Sequence, residues 1–221
     1  MELSQRLLAS NDALADANRS LFQSAGLQVI NLLSSPGSGK TALLERLGQE
    51  LAGALPMAVL VGDLATDNDA RRLRSAGWPA IAISTGQCCH LEAAMVQRGL
   101  AELAEAGVAL ETLALLVIEN VGNLVCPAAY DLGECLRVVL LAVTEGEDKP
   151  LKYPALFQTA DLVVISKSDL AAPAGFQREL ALANLARVAP RARVVELSAR
   201  SGEGIAALLE ALDLRPAAIA G

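Results

Sequence analysis

Seven short apolar runs recur along the chain with few polar interruptions: Gln28–Leu33, Met57–Gly62, Ala80–Ser84, Leu113–Ile118, Arg137–Val143, Leu162–Ser166 and Arg193–Leu197. Runs of this length, rich in Val, Leu and Ile, predict strands covered on both faces and hence a mostly parallel sheet. Between them lie stretches with helical periodicity: Thr41–Ala52, Ala70–Ala76, Leu91–Ala106, Phe176–Val188 and Gly204–Leu212. That alternation predicts an α/β fold with about seven strands and helices on both faces. An amphipathic helix is expected ahead of the first strand, with Leu3, Leu7 and Leu14 sharing a face. The boundaries read as a helical segment over 1–27, one α/β domain over 28–213, and a loose tail over 214–221.

Composition narrows the picture. The chain has 221 residues, of which 53% are hydrophobic but only 3% aromatic, so the core must be aliphatic. No apolar run is long enough to span a bilayer. The N-terminus lacks a basic segment followed by an apolar stretch, so a cytoplasmic protein is expected. A net charge of −7 argues against a nucleic-acid partner. Four cysteines in such a chain read as thiols or metal ligands rather than disulfides.

Chemistry concentrates where strands end. The first run passes into Ser34-Ser-Pro-Gly-Ser-Gly-Lys-Thr41 and then a helix, which is the order of a phosphate-binding loop, with Ser34 where the usual pattern has Gly. Gly37 and Gly39 would allow successive N–H groups, including those of Ser38 and Ala42, to face phosphate oxygens. Lys40 would reach the β- and γ-phosphates, and the Thr41 hydroxyl would hold Mg²⁺. Two further strands end in acids, Asp63 and Glu119, which need a cation beside triphosphate. Glu119-Asn-Val-Gly122 has the spacing of a γ-phosphate-sensing loop, in which the Gly122 N–H faces the terminal phosphate. Lys40, Asp63 and Glu119 are therefore the candidate catalytic residues.

Ser166-Lys-Ser-Asp169 resembles the guanine-reading motif Asn-Lys-x-Asp. A carboxylate at Asp169 can accept from both guanine N1–H and N2–H₂, a pair that adenine does not offer. Lys167 would lie along the base, and Ser198-Ala199 would present an N–H to guanine O6. Ser166 replaces Asn, so weaker base binding or faster exchange is expected, with specificity kept.

The sole histidine, His90, follows Cys88 and Cys89, and Cys126 comes shortly after Glu119. At a helix start, thiol pKa values fall and thiolates become available as ligands. Cys and His suit Zn²⁺ or Ni²⁺. Spacing alone equally fits small buried thiols beside a surface imidazole, the class in which Cys135 is placed.

Together with Gly62-Asp-Leu-Ala-Thr-Asp-Asn-Asp-Ala70, Cys89-His-Leu91, Val125-Cys-Pro127 and Thr144-Glu-Gly-Glu-Asp-Lys-Pro-Leu-Lys-Tyr-Pro154, these marks resemble the HypB family, the nickel-incorporating P-loop GTPases of nickel-iron hydrogenase maturation. Ser34 is usual there. The resemblance implies a GTPase with GTP or GDP and Mg²⁺ (on Thr41, Asp63 and Glu119), and because no Arg or Gln stands out as a strong catalyst, slow turnover is expected. It implies a Ni²⁺ or Zn²⁺ site of Cys89, His90 and Cys126 at a homodimer interface, with Cys88 left open as a further ligand. The implied partners are a HypA-type maturation protein and the hydrogenase large subunit precursor, with no nucleic acid and no membrane. Residues 1–28 contain neither Cys nor His, so delivery through the G-domain site alone is expected. The alternatives are a urease-accessory nickel GTPase, a small-molecule kinase or ligase of the same fold, and a passive metal binder with a vestigial nucleotide site.

Overall fold

A computed structural model describes residues 2–51, 54–64, 66–86 and 88–214, with side chains from residue 5. The seven predicted strands are all present: β1 Gln28–Ser34, β2 Met57–Asp63, β3 Ala80–Ser84, β4 Leu115–Glu119, β5 Leu136–Ala142, β6 Leu162–Ser166 and β7 Arg193–Glu196. They form one wholly parallel sheet in the order β3-β2-β4-β1-β5-β6-β7. The chain leaves β1 toward one edge and later returns to build outward on the other side. A crevice therefore opens at the carboxyl end of β1, where such sheets bind ligands.

The helices are α1 Glu2–Ser24, α2 Lys40–Leu51, α3 Asn68–Ser75, α4 Ala93–Glu105, α5 Lys149–Lys152, α6 Pro154–Gln158, α7 Ala171–Ala174, α8 Arg178–Val188 and α9 Ile205–Ala211. Strand alternation sends Ile30 and Leu32 of β1 to one face, against Leu43, Leu44 and Leu47 of α2 and Leu208 of α9. Val29 and neighbouring Leu60 and Ile118 go to the other, against Phe22 of α1 and Val96 and Leu100 of α4. A third cluster joins Leu141 and Val163 to Phe157 of α6 and Leu185 of α8. Each fully buried Leu or Phe contributes roughly 1.5–3 kcal/mol. The one tryptophan, Trp78, is buried beneath α2, its indole Nε1–H donating to Leu44 O at 3.0 Å. A side chain at Gly48 on that helix would meet the ring at 2.6 Å.

Two expectations need correction. The face that α1 buries is not the leucine stripe: Leu7 is 58% exposed, while Asn11, Ala15, Asn18 and Phe22 are buried. Leu3 lies outside the described side chains. Asn11 and Asn18 sit inside because they satisfy backbone groups that would otherwise be stranded. Asn11 Oδ1 accepts from Ala93 N at the start of α4, and Asn18 Nδ2 donates to Ala93 O and Leu132 O. Leu214, assigned to the tail, is buried and its N–H donates to Leu209 O. The rest of the tail, 215–221, lies outside the described residues.

Candidate functional site

The loop after β1 and the N-terminus of α2 open a cleft of about 540 Å³ lined by Gly37, Gly39, Lys40, Thr41, Asp63 and Glu119, among others. Gly37 and Gly39 have φ of 74° and 98°, the left-handed region that turns the backbone inward. Lys40 is buried and its Nζ donates to Ser34 Oγ at 3.0 Å, so the hydroxyl in place of glycine has a partner. Burial pulls the Lys40 ammonium below its usual range, opposed by Glu119, Asp69 and Glu145. Glu145 braces the loop from behind, accepting from Ser35 Oγ and Ser38 Oγ. Gly122 packs on the phosphate loop so closely that a Cβ there would lie 2.8 Å from Pro36 Cα.

Glu119 is 3% exposed at the end of β4, and its Oε1 accepts from Thr41 Oγ1 at 2.7 Å. Its other oxygen, Oε2, is buried with no hydrogen-bond partner. Burial pushes the carboxyl up to about 7, against the pull of Lys40 and the Thr41 hydrogen bond. An orphaned, high-pKa carboxyl beside a threonine hydroxyl and Asp63 fits a divalent cation, which would satisfy Oε2 and favour the charged form. Asp63 accepts from Thr66 Oγ1 at 2.6 Å. Arg72 and Asp69 of α3 also line the cleft, which the sequence reading missed. Their i, i+3 spacing after Asp63 was the available signal. The Arg72 guanidinium is held by Glu45 at 2.6 and 3.0 Å and by Asp69 at 3.0 Å.

A second, adjoining cavity of about 210 Å³ is lined by Ser38, Ala42, Ser166, Lys167, Asp169 and Ala199, among others. Its shape follows from the strand ends of β6 and β7. Lys167 adopts φ 60°, and its Nζ donates to Gly37 O at 2.6 Å, laying its stem across the loop. Asp169 is oriented by Ser198, whose Oγ donates to Oδ1 at 2.6 Å. Ser166 Oγ donates to Ser38 O at 2.8 Å, so the short hydroxyl reaches the phosphate loop.

Cys89, His90 and Cys126 come together with their ligand atoms within 4.8 Å of one another. The Cys89 thiol lies 2.6 Å from Cys126 Sγ and 3.8 Å from His90 Nδ1. Cys88 and Cys89 lie in the turn before α4, which begins only at Ala93, so neither sits at the helix start that was expected. Cys89 is instead pushed up, first by sharing a hydrogen bond with Cys126 and then by burial. His90 is 9% exposed rather than a surface imidazole, and burial holds its pKa down. Its Nε2 is buried without a hydrogen-bond partner, 3.6 Å from Glu92. A neutral imidazole with an unused nitrogen beside two thiols is a donor set for a borderline-soft cation. Cys88 is not in this group, and Cys135 is exposed, not buried as expected. Tyr130, unforeseen in the sequence, stacks on His90 with ring centroids 3.9 Å apart.

The family model of the CobW/HypB/UreG nucleotide-binding domain matches residues 28–196. The hydrogenase maturation factor HypB of Azotobacter vinelandii is 51% identical over 207 residues, 93% of this chain and 66% of that protein. The hydrogenase/urease maturation factor HypB of Helicobacter pylori is 40% identical over 93% of this chain and 84% of its own length. The crystal structure of HypB from Helicobacter pylori in complex with nickel superposes with a TM-score of 0.87 at 39% identity, covering 96% of this chain and 99% of that one.

The chain belongs to the HypB family. Its relatives include both hydrogenase and hydrogenase/urease maturation factors. The signal recognition particle 54 kDa protein from Aeropyrum pernix, at 16% identity and a TM-score of 0.56, shares the fold alone. The chain spans 66% of the length of the Azotobacter vinelandii HypB. Among the described residues, no helix is long and apolar enough to cross a membrane.

Proposed function

We propose that this HypB-family chain hydrolyses GTP to GDP and phosphate, and that its nucleotide state governs a Cys/His site carrying nickel for hydrogenase maturation. The observation that carries the reading is the segment from Glu119 to Cys126. It begins in the phosphate cleft, passes Gly122 against Pro36, and ends at a thiol of the metal cluster. Movement of the phosphate-sensing loop must therefore move a metal ligand.

Gly37, Ser38, Gly39 and Ala42 offer their backbone to phosphates, and Lys40 supplies the point charge at the β/γ bridge. Mg²⁺, held by Thr41, Asp63 and Glu119, would neutralise charge developing on the phosphate oxygens. Glu119, kept in its charged form by the cation, would also help to orient the attacking water. Asp169 reads guanine, with Ser198 fixing the carboxylate and Ala199 near the base. Arg72 is the cationic side chain nearest to being a catalyst, but its guanidinium is committed to Glu45 and Asp69, in keeping with slow turnover. Slow hydrolysis suits a switch.

Three ligands leave a tetrahedral ion one short, a place that a water, Cys88 or a second copy of the chain would fill, the last in a homodimer favoured by GTP or metal. A HypA-type protein and the hydrogenase large subunit precursor are the further partners, in the cytoplasm, and Zn²⁺ competes for the same donors. Titrating Ni²⁺ into protein bearing GDP or a non-hydrolysable GTP analogue, followed by light scattering and phosphate release, tests this. Different nickel affinity in the two states, lost in Cys126→Ala with GTP binding kept, is expected. Equal affinity together with no phosphate release would overturn it.

A further inference from the structure

Asparagine in the middle of a buried parallel strand is costly unless every polar atom is matched. Asn31 occupies that place in β1, fully buried, beside Ile118 of β4 and Arg137 of β5 in the sheet register. Its Nδ2 donates to Glu134 Oε1 at 3.1 Å, and its Oδ1 accepts from Asn120 Nδ2 at 3.2 Å. Asn120, 1% exposed and next to Glu119, accepts at Oδ1 from Val121 N at 2.9 Å and from Leu91 N at 3.2 Å. At the far end Glu134 accepts from Arg137 Nε at 2.7 Å. The Arg137 guanidinium then donates to Ala128 O at 3.3 Å and Tyr130 O at 2.9 Å.

The two ends of this chain fix its polarity. Backbone N–H groups at Asn120 demand an oxygen there, and a carboxylate at Glu134 demands a donor from Asn31, so neither amide can be reversed without breaking a bond. Each donor points from Leu91 toward Glu134, the arrangement in which successive hydrogen bonds reinforce one another. What the chain touches gives it meaning. Leu91 follows His90, and the carbonyls held by Arg137 belong to the turn that begins at Cys126 and ends at Tyr130, whose ring stacks on His90. Asn120 itself belongs to the segment from Glu119 to Gly122, all four residues of which line the phosphate cleft.

We infer that Asn120, Asn31, Glu134 and Arg137 form a buried positioning relay that holds both halves of the Cys/His cluster in fixed relation to the phosphate-sensing loop. None of the four is a metal ligand or a catalytic residue. The nucleotide-dependent part rests on the proposed coupling of the two sites. The positioning part does not.

The test uses Co²⁺ as probe on the full chain, because thiolate ligation gives it a distinctive absorption spectrum. Arg137→Met keeps the packing stem but loses both carbonyl contacts. In nucleotide-free protein it should weaken Co²⁺ about 10-fold and alter the spectrum, with GDP affinity unchanged, as expected for loss of an outer-shell support. Arg137→Lys should recover part of the affinity. Asn31→Leu severs the relay at its buried centre without removing a group that binds metal or nucleotide, and should bring the ratio of Co²⁺ affinities in the GDP and GTP-analogue states to one while each ligand still binds. Wild-type Co²⁺ affinity and spectrum in Arg137→Met would overturn the inference, and Asn31→Leu that folds and keeps the wild-type ratio would overturn its coupling role. If Asn31→Leu does not fold, Arg137→Met and its lysine rescue decide. If the wild-type ratio is itself one, the proposed coupling fails, while the nucleotide-free comparison still judges the positioning role.

Discussion

Glu119 should make the nucleotide-free protein less stable as pH rises, and Glu119→Gln should remove that dependence. Burial raises the carboxyl from its ordinary 4.5 to about 7 in the folded chain, despite the nearby Lys40 ammonium and the Thr41 hydroxyl. A raised acid binds its proton more tightly folded than unfolded. Its penalty is therefore absent below about 4.5, grows as pH climbs, and is complete above about 7. At about 1.4 kcal/mol per pH unit, that gap corresponds to about 3 kcal/mol at pH 8. Glutamine has the shape of the protonated acid and can still accept from Thr41, so the variant should match wild type near pH 5 and exceed it by about 3 kcal/mol at pH 8. For a domain of this size the excess is a rise in Tm of roughly 10 °C. Urea or thermal unfolding in the presence of a chelator, run on both proteins from pH 5 to pH 8, measures the difference free of other titrating groups. With Mg²⁺ and GDP added, the wild-type penalty should shrink, because the charged form is then the one preferred. A difference between the two proteins that stays flat across this range would refute the burial argument for Glu119.

Base choice should move with Asp169: Asp169→Asn should weaken GTP and favour xanthosine triphosphate in competition binding, since an amide can donate where the carboxylate only accepts. Unchanged GTP preference would remove Asp169 from the base site. Lys40→Ala should reduce phosphate release to background while far-UV circular dichroism stays unchanged, and activity surviving at the wild-type rate would place the chemistry elsewhere. Gly122→Ala forces a Cβ to within 2.8 Å of Pro36 Cα, so it should cost about 1–3 kcal/mol in unfolding experiments and impair GTP-analogue binding more than GDP binding. Equal loss for both nucleotides would show that Gly122 does not face the terminal phosphate.

The strands could be read from the chain because both faces of a parallel sheet are dry, so its strands are uniformly apolar and end where polarity returns. Asp63, Glu119 and Asp169 were found at those ends for the same reason, and Gly37 and Gly39 by the positive φ the turn requires. The face of α1 was misread because leucine periodicity measures only apolar burial, whereas Asn11 and Asn18 are buried for the backbone groups they satisfy. The thiols were expected to be acidified by a helix start, but the turn at Cys89 brings it against Cys126 instead, a contact 37 residues away in sequence. Asn31, Asn120 and Glu134 carried no local signal for a related reason: their partners lie 89 and 103 residues apart. Ser166 was read as a loosened link, and its hydroxyl nonetheless reaches Ser38 O.

Trp78 beneath α2 gives this chain its own optical reporter. The helix that carries Leu44 and Gly48 above the indole begins at Lys40, in the phosphate loop itself. Any tilt of that helix on nucleotide binding changes the polarity and quenching around a lone indole, which can be excited apart from the two tyrosines. Emission wavelength and lifetime can thus follow the loading and hydrolysis of nucleotide in unlabelled protein, in real time and with metal present.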